Sequence, residues 1–231
     1  MIFEQLFDEK SSTYTYIIAS GEGREALIID PVIEHSNEYS TILKNLDLKL
    51  VKVIDTHIHA DHISALNELN KRTNCIRVMG EKSKSEVVDL RIKDGEKIKI
   101  ENVIVQAIYT PGHTDCSYSF LMDDRVFTGD TLLINGSGRT DFQNGNAHDA
   151  YDSIFNKLLT LPEKTLVYPA HDYNGKKFST IENEKNNNPR LQVSSKEEYA
   201  DIMNNLNLAN PKMMDVAVPA NVKGLTLDNI N

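Results

Sequence analysis

The chain contains no tryptophan, only two cysteines and no long apolar run. Cys75 and Cys116 cannot form a disulfide scaffold, so we expect reduced, buried thiols in a reducing compartment. No stretch approaches the roughly 18 apolar residues of a spanning helix, which predicts that the chain is not an integral membrane protein. The N-terminal residues lack a basic region followed by an apolar core, so they do not resemble a secretory signal. These absences predict a cytoplasmic protein.

Basic residues are also in deficit. Lysine and arginine number 25 against 34 aspartates and glutamates, which gives a formal net charge of -9. Phosphate backbones and anionic lipid surfaces would repel such a chain, so neither nucleic acid nor a membrane surface is an expected partner.

Linkers of the Gly/Ser or Pro type are absent as well. We therefore expect one domain over residues 1–231, with a C-terminal extension from about residue 176. A homodimer is compatible with the sequence.

The first half of the chain alternates between strand and helix patterns. Residues 13–20 and 25–30 are β-branched and aromatic runs around a glycine turn, which predicts a hairpin. A helix over 36–46, a strand over 48–56 and a helix over 63–73 follow. This alternation predicts layers of sheet and helix rather than a helical bundle.

The second half is richer in strands. Residues 97–113, 118–122 and 125–129 read as strands joined by turns. A helix from 147, a strand over 165–172 and a helix over 196–208 complete the pattern.

A dense cluster of potential metal ligands follows the apolar segment LVKVID. His57, His59, Asp61 and His62 lie within six residues, so one turned loop can aim several of them at one point. Neutral imidazoles and carboxylates together suit divalent zinc, iron or manganese. The alternative is a solvated polar loop in which Asp61 caps the following helix.

Three further segments end a strand in a potential ligand: YTPGH in His113, VFTGD in Asp130 and VYPAH in His171. Taken singly, these residues could be a turn residue, a helix cap and a surface histidine. Together with the first cluster, they predict a metal centre where strand ends gather at one edge of a sheet. His35 and His148 have no ligand neighbours and are expected at the surface.

The motifs THIHADH, PGHT, TGD and PAHD, in this order, resemble the metallo-β-lactamase superfamily over roughly residues 10–175. The resemblance implies an α/β (α+β) fold of the αββα sandwich type. Its motifs then lie on loops at one edge of the two sheets.

A narrower resemblance extends to about residue 224. The segments TGDTLLINGSGRTDFQNG, LPEKTLVYPAHDYNG and NPRL…PKMMDVAVPANVKG are similar to the persulfide dioxygenases, also called sulfur dioxygenases, of the ethylmalonic-encephalopathy-protein type. This resemblance implies oxidation of glutathione persulfide with O₂ to sulfite and glutathione. It also implies one mononuclear non-haem Fe(II) per chain.

The resemblance assigns His57, His113 and Asp130 as iron ligands. Two imidazoles and one carboxylate leave three coordination positions open, enough for dioxygen and the persulfide sulfur. Four other residues would hydrogen-bond and orient the ligands, or bind a second metal: His59, Asp61, His62 and His171.

For the substrate, the resemblance points to Arg139 as a clamp for the glutathione carboxylates and to Tyr173 as a catalytic and substrate-binding residue beside the metal. Lys223 would help to hold the tripeptide. The chain departs from many family members after PGHT, where Asp115 precedes Cys116 instead of a glycine. A buried structural thiol is the expected state of this cysteine.

The main alternative is a glyoxalase II-like hydrolase. All seven residues of a two-metal site are present, and a zinc pair could activate a bridging hydroxide to attack a thioester. Chains of that kind do not carry RTDFQ or PAHDY. A metal-binding protein without catalysis is a third alternative, and it would need neither open coordination nor an anion clamp.

Overall fold

The computed structural model describes residues 1–211 and 213–230, and its centre is a pair of facing sheets. The first sheet contains β1 (Ile2–Asp8), β2 (Thr13–Ala19), β3 (Glu25–Ile29), β4 (Lys49–Ile54), β5 (Ile76–Gly80) and β6 (Leu90–Ile92), in that order. The second contains β12 (Ser179–Thr180), β11 (Leu166–Pro169), β10 (Arg125–Gly129), β9 (Tyr118–Leu121), β8 (Val103–Tyr109) and β7 (Lys97–Ile100).

Helices cover the outer faces of these sheets. They are α1 (Ser36–Asn45), α2 (Leu66–Thr73), α3 (Ala147–Phe155), α4 (Ile181–Asn187), α5 (Lys196–Asn204), α6 (Met214–Lys223) and α7 (Leu227–Ile230). Short 3-10 turns precede α1 and follow α3.

Three apolar layers hold the molecule together. The layer between the sheets includes the fully buried Tyr16, Phe120 and Phe127. A second layer joins the outer face of the first sheet to α1, α2 and α6, and a third joins the outer face of the second sheet to α3 and α5. The order helix, sheet, sheet, helix confirms the predicted αββα sandwich.

Strand β2 illustrates why both faces of the sheet are buried. Tyr14, Tyr16 and Ile18 point into the layer between the sheets, whereas Ile17 and Ala19 point toward the helices. All seven residues of this strand are buried, and only its two threonines, whose hydroxyls are hydrogen-bonded, are polar.

The predicted elements are largely present, with shifted boundaries. The predicted hairpin is confirmed, because β2 and β3 pair antiparallel. Helix α2 begins at Leu66 rather than at residue 63, because Ser64 forms a bridge with Val32 that keeps this part of the loop non-helical. The predicted strand over 97–113 is two strands, separated by a turn in which Glu101 has a positive φ of 44°.

The C-terminal region packs against both halves of the sandwich. Strand β12 pairs with β11, and Ala217 and Ala220 of α6 are buried in the layer of the first sheet. The division into one domain and an extension from about residue 176 stays a prediction. In the ranges that the structure describes, no helix combines the length and apolarity needed to cross a membrane.

Gly112 is a position where the fold requires glycine. Its φ is +140°, and a Cβ there would lie 2.3 Å from the Cα of Ala150 in α3. We expect Gly112→Ala to lower the free energy of unfolding by about 3 kcal/mol, because backbone strain and overpacking add. Gly95 is the matched control, since its φ is +81° but nothing lies within 4 Å of its Cβ position. Gly95→Ala should cost about 1 kcal/mol. Equal losses for both variants in urea denaturation would contradict this account.

Candidate metal centre

Four strand ends bring the predicted ligands to one edge of the two sheets. The loop after β4 carries His57, and the segments after β8, β10 and β11 carry His113, Asp130 and His171. Strands β10 and β11 are parallel, and both β8 and β10 run antiparallel to β9, so all three ligand-bearing strands of the second sheet end on the same side. The sheet topology therefore gathers residues that are distant in the sequence.

The atoms of His57, His113 and Asp130 can meet at one cation. Each residue offers one ligand atom, and these three atoms lie within 4.8 Å of one another. The rings of His57 and His113 are perpendicular, with centroids 5.0 Å apart.

The remaining polar atom of each of these residues is bound by the protein. His57 Nδ1 is 2.9 Å from Thr56 Oγ1, and His113 Nδ1 donates to the carbonyl of Arg139 at 2.7 Å. His171 Nδ1 donates to Asp130 Oδ1 at 2.6 Å. Metal-binding histidines commonly donate their second ring nitrogen to such a partner. The three residues thus fit a divalent cation.

Asp30 fixes the ring of His57 through Thr56. Its Oδ1 accepts from the Thr56 backbone N–H at 2.7 Å, and its Oδ2 accepts from Thr56 Oγ1 at 3.0 Å. The threonine hydroxyl has then used its proton, so it accepts from His57 Nδ1–H. The lone pair of His57 is left on Nε2. Asp30 itself adopts a left-handed backbone with φ 50°, a conformation that aspartate tolerates better than most residues.

A second cluster lies beside the first. Ligand atoms of His59, Asp61 and His62 also lie within 4.8 Å of one another. His59 Nδ1 and His62 Nε2 are buried and have no hydrogen-bond partner among the described residues. The opposite nitrogens are bound, since His59 Nε2 contacts Asp30 and His62 Nδ1 contacts Asp61. This cluster also offers donors that suit a cation.

Burial and mutual charge displace the pKa values of these groups in opposite directions. Burial, with His59 and His113 nearby, lowers the pKa of His57 well below its usual range, so its imidazole is neutral and has a lone pair to share. Burial opposes protonation of His171 too, but the carboxylates of Asp130 and Asp61 raise its pKa well above the ordinary value. In Asp130, burial acts to raise the pKa, but His171 and the other imidazoles lower it. The carboxylate is therefore ionised.

A cavity of about 410 Å³ opens onto the centre. Asp61, His113, Asp130 and His171 contribute to one side of its lining. The rest of the wall includes apolar and cationic side chains and one tyrosine: Leu133, Leu208, Pro211, Arg139, Arg190 and Tyr173. Tyr173 is 71% exposed, and its ring is parallel to that of His171, with centroids 6.2 Å apart.

The Arg139 side chain lines this cavity but is already paired. Its guanidinium forms two bonds of 2.7 Å with Asp141 and donates to the carbonyl of Ala209 at 2.6 Å. It also lies over the ring of Phe142. Arg190, by contrast, donates to the Ser137 carbonyl and has no acidic partner among the described residues. Arg190 is thus the cation with more capacity for an anionic ligand.

Lys223 is not brought to the cavity. It is the last residue of α6, it is exposed, and it is not among the residues that line the cavity. Its proposed contact with substrate stays a prediction.

The sequence analysis did not identify Asp30, Thr13 or Arg190. Thr13 Oγ1 lies 3.1 Å from both Asp61 Oδ2 and His171 Nε2. Asp30 follows the apolar strand β3 and had the same strand-end pattern as the predicted ligands. Thr13 and Arg190 carried no comparable signal. Cys116 is buried, and burial raises the pKa of its thiol, in keeping with the structural thiol that was expected.

Removal of the Thr56 hydroxyl should weaken the metal centre without unfolding the protein. Thr56→Val keeps the shape but leaves His57 Nδ1 without an acceptor, so we expect metal affinity to fall about tenfold or more. Competition with a coloured chelator measures this change. Thr73→Val is the control, since Thr73 Oγ1 donates to the Leu69 carbonyl at the end of α2. The same metal affinity in both variants would show that the hydrogen bonds joining Asp30, Thr56 and His57 do not support the metal centre.

Comparison with known proteins identifies the relatives of this chain. The sequence profile described as "Metallo-beta-lactamase superfamily" matches residues 9–171. Mouse mitochondrial persulfide dioxygenase ETHE1 is 43% identical over 226 residues, which are 96% of this chain and 88% of the mouse protein. The human protein is 42% identical with the same coverage.

Solved structures lead to the same group. The crystal structure of ETHE1 from Myxococcus xanthus has a TM-score of 0.94 and 49% identity, and the match covers 96% of this chain and 98% of that one. Hydroxyacylglutathione hydrolase of Dictyostelium discoideum is more distant, at 30% identity over 75% of this chain and 68% of its own length. The superfamily profile covers most of the chain, and the similarity to persulfide dioxygenases extends over nearly all of it. The chain therefore belongs to the metallo-β-lactamase superfamily and, within it, to the persulfide dioxygenase family.

Proposed function

We propose that this protein oxidises glutathione persulfide with O₂ to sulfite and glutathione, at a single Fe(II) held by His57, His113 and Asp130. One observation carries the proposal: these residues keep three ligand atoms free within 4.8 Å of one another, in a chain that is similar to persulfide dioxygenases over 96% of its length. Bound iron would supply the redox capacity for O₂ chemistry, which zinc lacks, with coordination positions open for oxygen and sulfur.

The overall reaction consumes one persulfide, one O₂ and one water, and yields one thiol, one sulfite and two protons. The outer sulfur is oxidised and receives both oxygen atoms, and the sulfur–sulfur bond breaks. In the proposed site, the protein orients the reactants and limits the access of water. Leu133, Leu208 and Pro211 line the cavity and would shield the sulfur from bulk solvent.

The cavity also carries groups that suit the two carboxylates of glutathione. Arg190 is half-buried and has no carboxylate partner among the described residues, so a substrate carboxylate would complete its hydrogen bonding. Arg139 can take part only by sharing or leaving Asp141. Tyr173, exposed at the cavity beside His171, is our candidate for a contact near the reacting sulfur.

Hydrolysis of thioesters by two metal ions is the second candidate function. It is favoured by the unpartnered nitrogens of His59 and His62, which would serve a second cation. It is also favoured by the more distant similarity to a hydroxyacylglutathione hydrolase. We prefer the dioxygenase because the similarity to persulfide dioxygenases covers 96% of the chain, whereas the match to the hydrolase covers 75%.

The proposal also covers cellular location and assembly. The mammalian relatives are described as mitochondrial. For this chain we propose a cytoplasmic protein, which is supported by two free, buried cysteines. A homodimer remains part of the proposal.

The proposed activity can be tested with two substrates and one substitution. The iron-loaded protein should consume O₂ with glutathione persulfide and should not hydrolyse S-lactoylglutathione. Asp130→Asn replaces the anionic ligand with a neutral amide, so the iron content should fall. Oxygen uptake should fall about 100-fold. His148→Ala removes an exposed histidine on α3 and should leave both unchanged. Hydrolysis without oxygen uptake, with two zinc ions per chain, would establish the second candidate instead.

The two arginines should differ in their effect on substrate binding. Arg190→Ala should raise KM for glutathione persulfide about tenfold or more, since hydrogen bonds to charged groups contribute about 1.5 to 3 kcal/mol. Arg139→Ala should raise KM by less, because its guanidinium is neutralised by Asp141. Steady-state oxygen uptake at varied substrate concentration measures both. A larger effect at Arg139 would restore it as the main clamp.

A further inference from the structure

Helix α6 contacts the loop after β4, which carries the potential ligands between residues 57 and 62. The contact is made by Asn221, which lies near the C-terminal end of the helix and is about nine-tenths buried. Residue 221 lies outside the segment 9–171 that matches the superfamily profile. A residue that lies outside the matched segment thus contacts the loop of the metal centre.

The Asn221 side chain satisfies three backbone groups of this loop. Its Nδ2 donates to the carbonyls of His59 at 2.9 Å and His62 at 3.0 Å. Its Oδ1 accepts from the backbone N–H of Ser64 at 2.8 Å. The two carbonyls require a donor and the N–H requires an acceptor, so only one orientation of the amide fits.

Within the described ranges, no other hydrogen bond reaches these three backbone groups. They are buried, and a buried polar group without a partner is strongly disfavoured. The amide therefore defines the path of the backbone from His59 to Ser64, the stretch that includes Asp61.

Asn221 is itself held firmly. Ala217 and Ala220 on the same helix are buried against the first sheet. The backbone carbonyl of Asn221 accepts from Ser85 Oγ at 3.3 Å, and the next carbonyl, that of Val222, accepts from the backbone N–H of Glu86 at 2.8 Å. These contacts hold the Asn221 amide in place against the loop.

We propose that Asn221 is a positioning residue of the metal centre. By holding the carbonyls of His59 and His62, it sets the direction of the loop and thereby the aim of His59, Asp61 and His62. Asp61 in turn contacts His171, which donates to Asp130. This inference rests on the proposed metal centre. It concerns the protein's geometry and applies to one bound cation or to two.

Asn221→Ala and Asn221→Asp provide the test, with Co(II) and Fe(II) as probe metals. Alanine removes all three hydrogen bonds. Aspartate keeps the shape and the acceptor for Ser64, but it places an oxygen against two carbonyls. The matched control is Asn67→Ala, because Asn67 Nδ2 ties α2 to the Gly224 carbonyl at the end of the same helix without touching the loop.

All three variants should lower the thermal denaturation temperature of the metal-free protein. Only the Asn221 variants should lose metal affinity, by about 10-fold to 100-fold in chelator competition, the range seen when partners of metal ligands are removed. At saturating Co(II), their visible absorption bands should shift relative to wild type, whereas those of Asn67→Ala should not. A structural role alone would change stability and leave affinity and spectrum intact.

Three results would overturn the inference. One is wild-type metal affinity and an unshifted spectrum in folded Asn221→Ala and Asn221→Asp. Another is failure of both variants to fold while Asn67→Ala folds, which would assign Asn221 to the fold rather than to the centre. In both of these cases wild-type metal binding, and with it the proposed function, would stand. A wild-type protein that binds neither metal would remove both proposals.

Discussion

The metal centre depends on three buried or partly buried side chains, His57, His113 and Asp130, each of which has one polar atom bound by the protein and one that faces the candidate cation site. Buried polar groups without partners are destabilising, and buried charges are more so. Here the protein satisfies one side of each ring and leaves the other side for a cation. The partners are of three kinds: a hydroxyl backed by Asp30 for His57, a backbone carbonyl for His113 and an imidazole for Asp130.

The arrangement of the sheets brings these side chains together. Strands β8, β10 and β11 end on one side of the second sheet, and the loop after β4 approaches from the first. Each of these three strands of the second sheet contributes a single ligand or ligand partner. The loop after β4 carries more donors in a short span, and it is also the segment that the rest of the chain supports most closely, through Asp30, Thr13 and Asn221.

The sequence predicted the parts of this design that are local. The cluster from His57 to His62 and the three strand-end motifs were recognisable because strand, turn and ligand follow one another within a few residues. The hairpin of β2 and β3 was recognisable for the same reason. Strand β1 was not predicted, since the apolar residues of IFEQLFD do not alternate strictly and leave the period ambiguous.

The parts that escaped prediction are contacts between distant residues. Thr13 meets His171 across 158 positions, and Asn221 meets His59 across 162. The local sequence around a threonine or an asparagine does not indicate that its side chain has such a distant partner. The pairing of Arg139 with Asp141 escaped for another reason: both residues were visible in RTDFQ, but whether their side chains face each other depends on the turn that joins them.

Arg139 contributes to both the metal centre and the cavity wall, and it uses different atoms for each. Its carbonyl holds the ring of His113, while its guanidinium holds the carbonyl of Ala209, which lies in the wall of the cavity. Every amino acid supplies a backbone carbonyl, so a change of side chain at this position reshapes the wall and leaves the acceptor for His113 in place. The side chain at this position can therefore change the wall of the cavity without changing the backbone acceptor that holds His113.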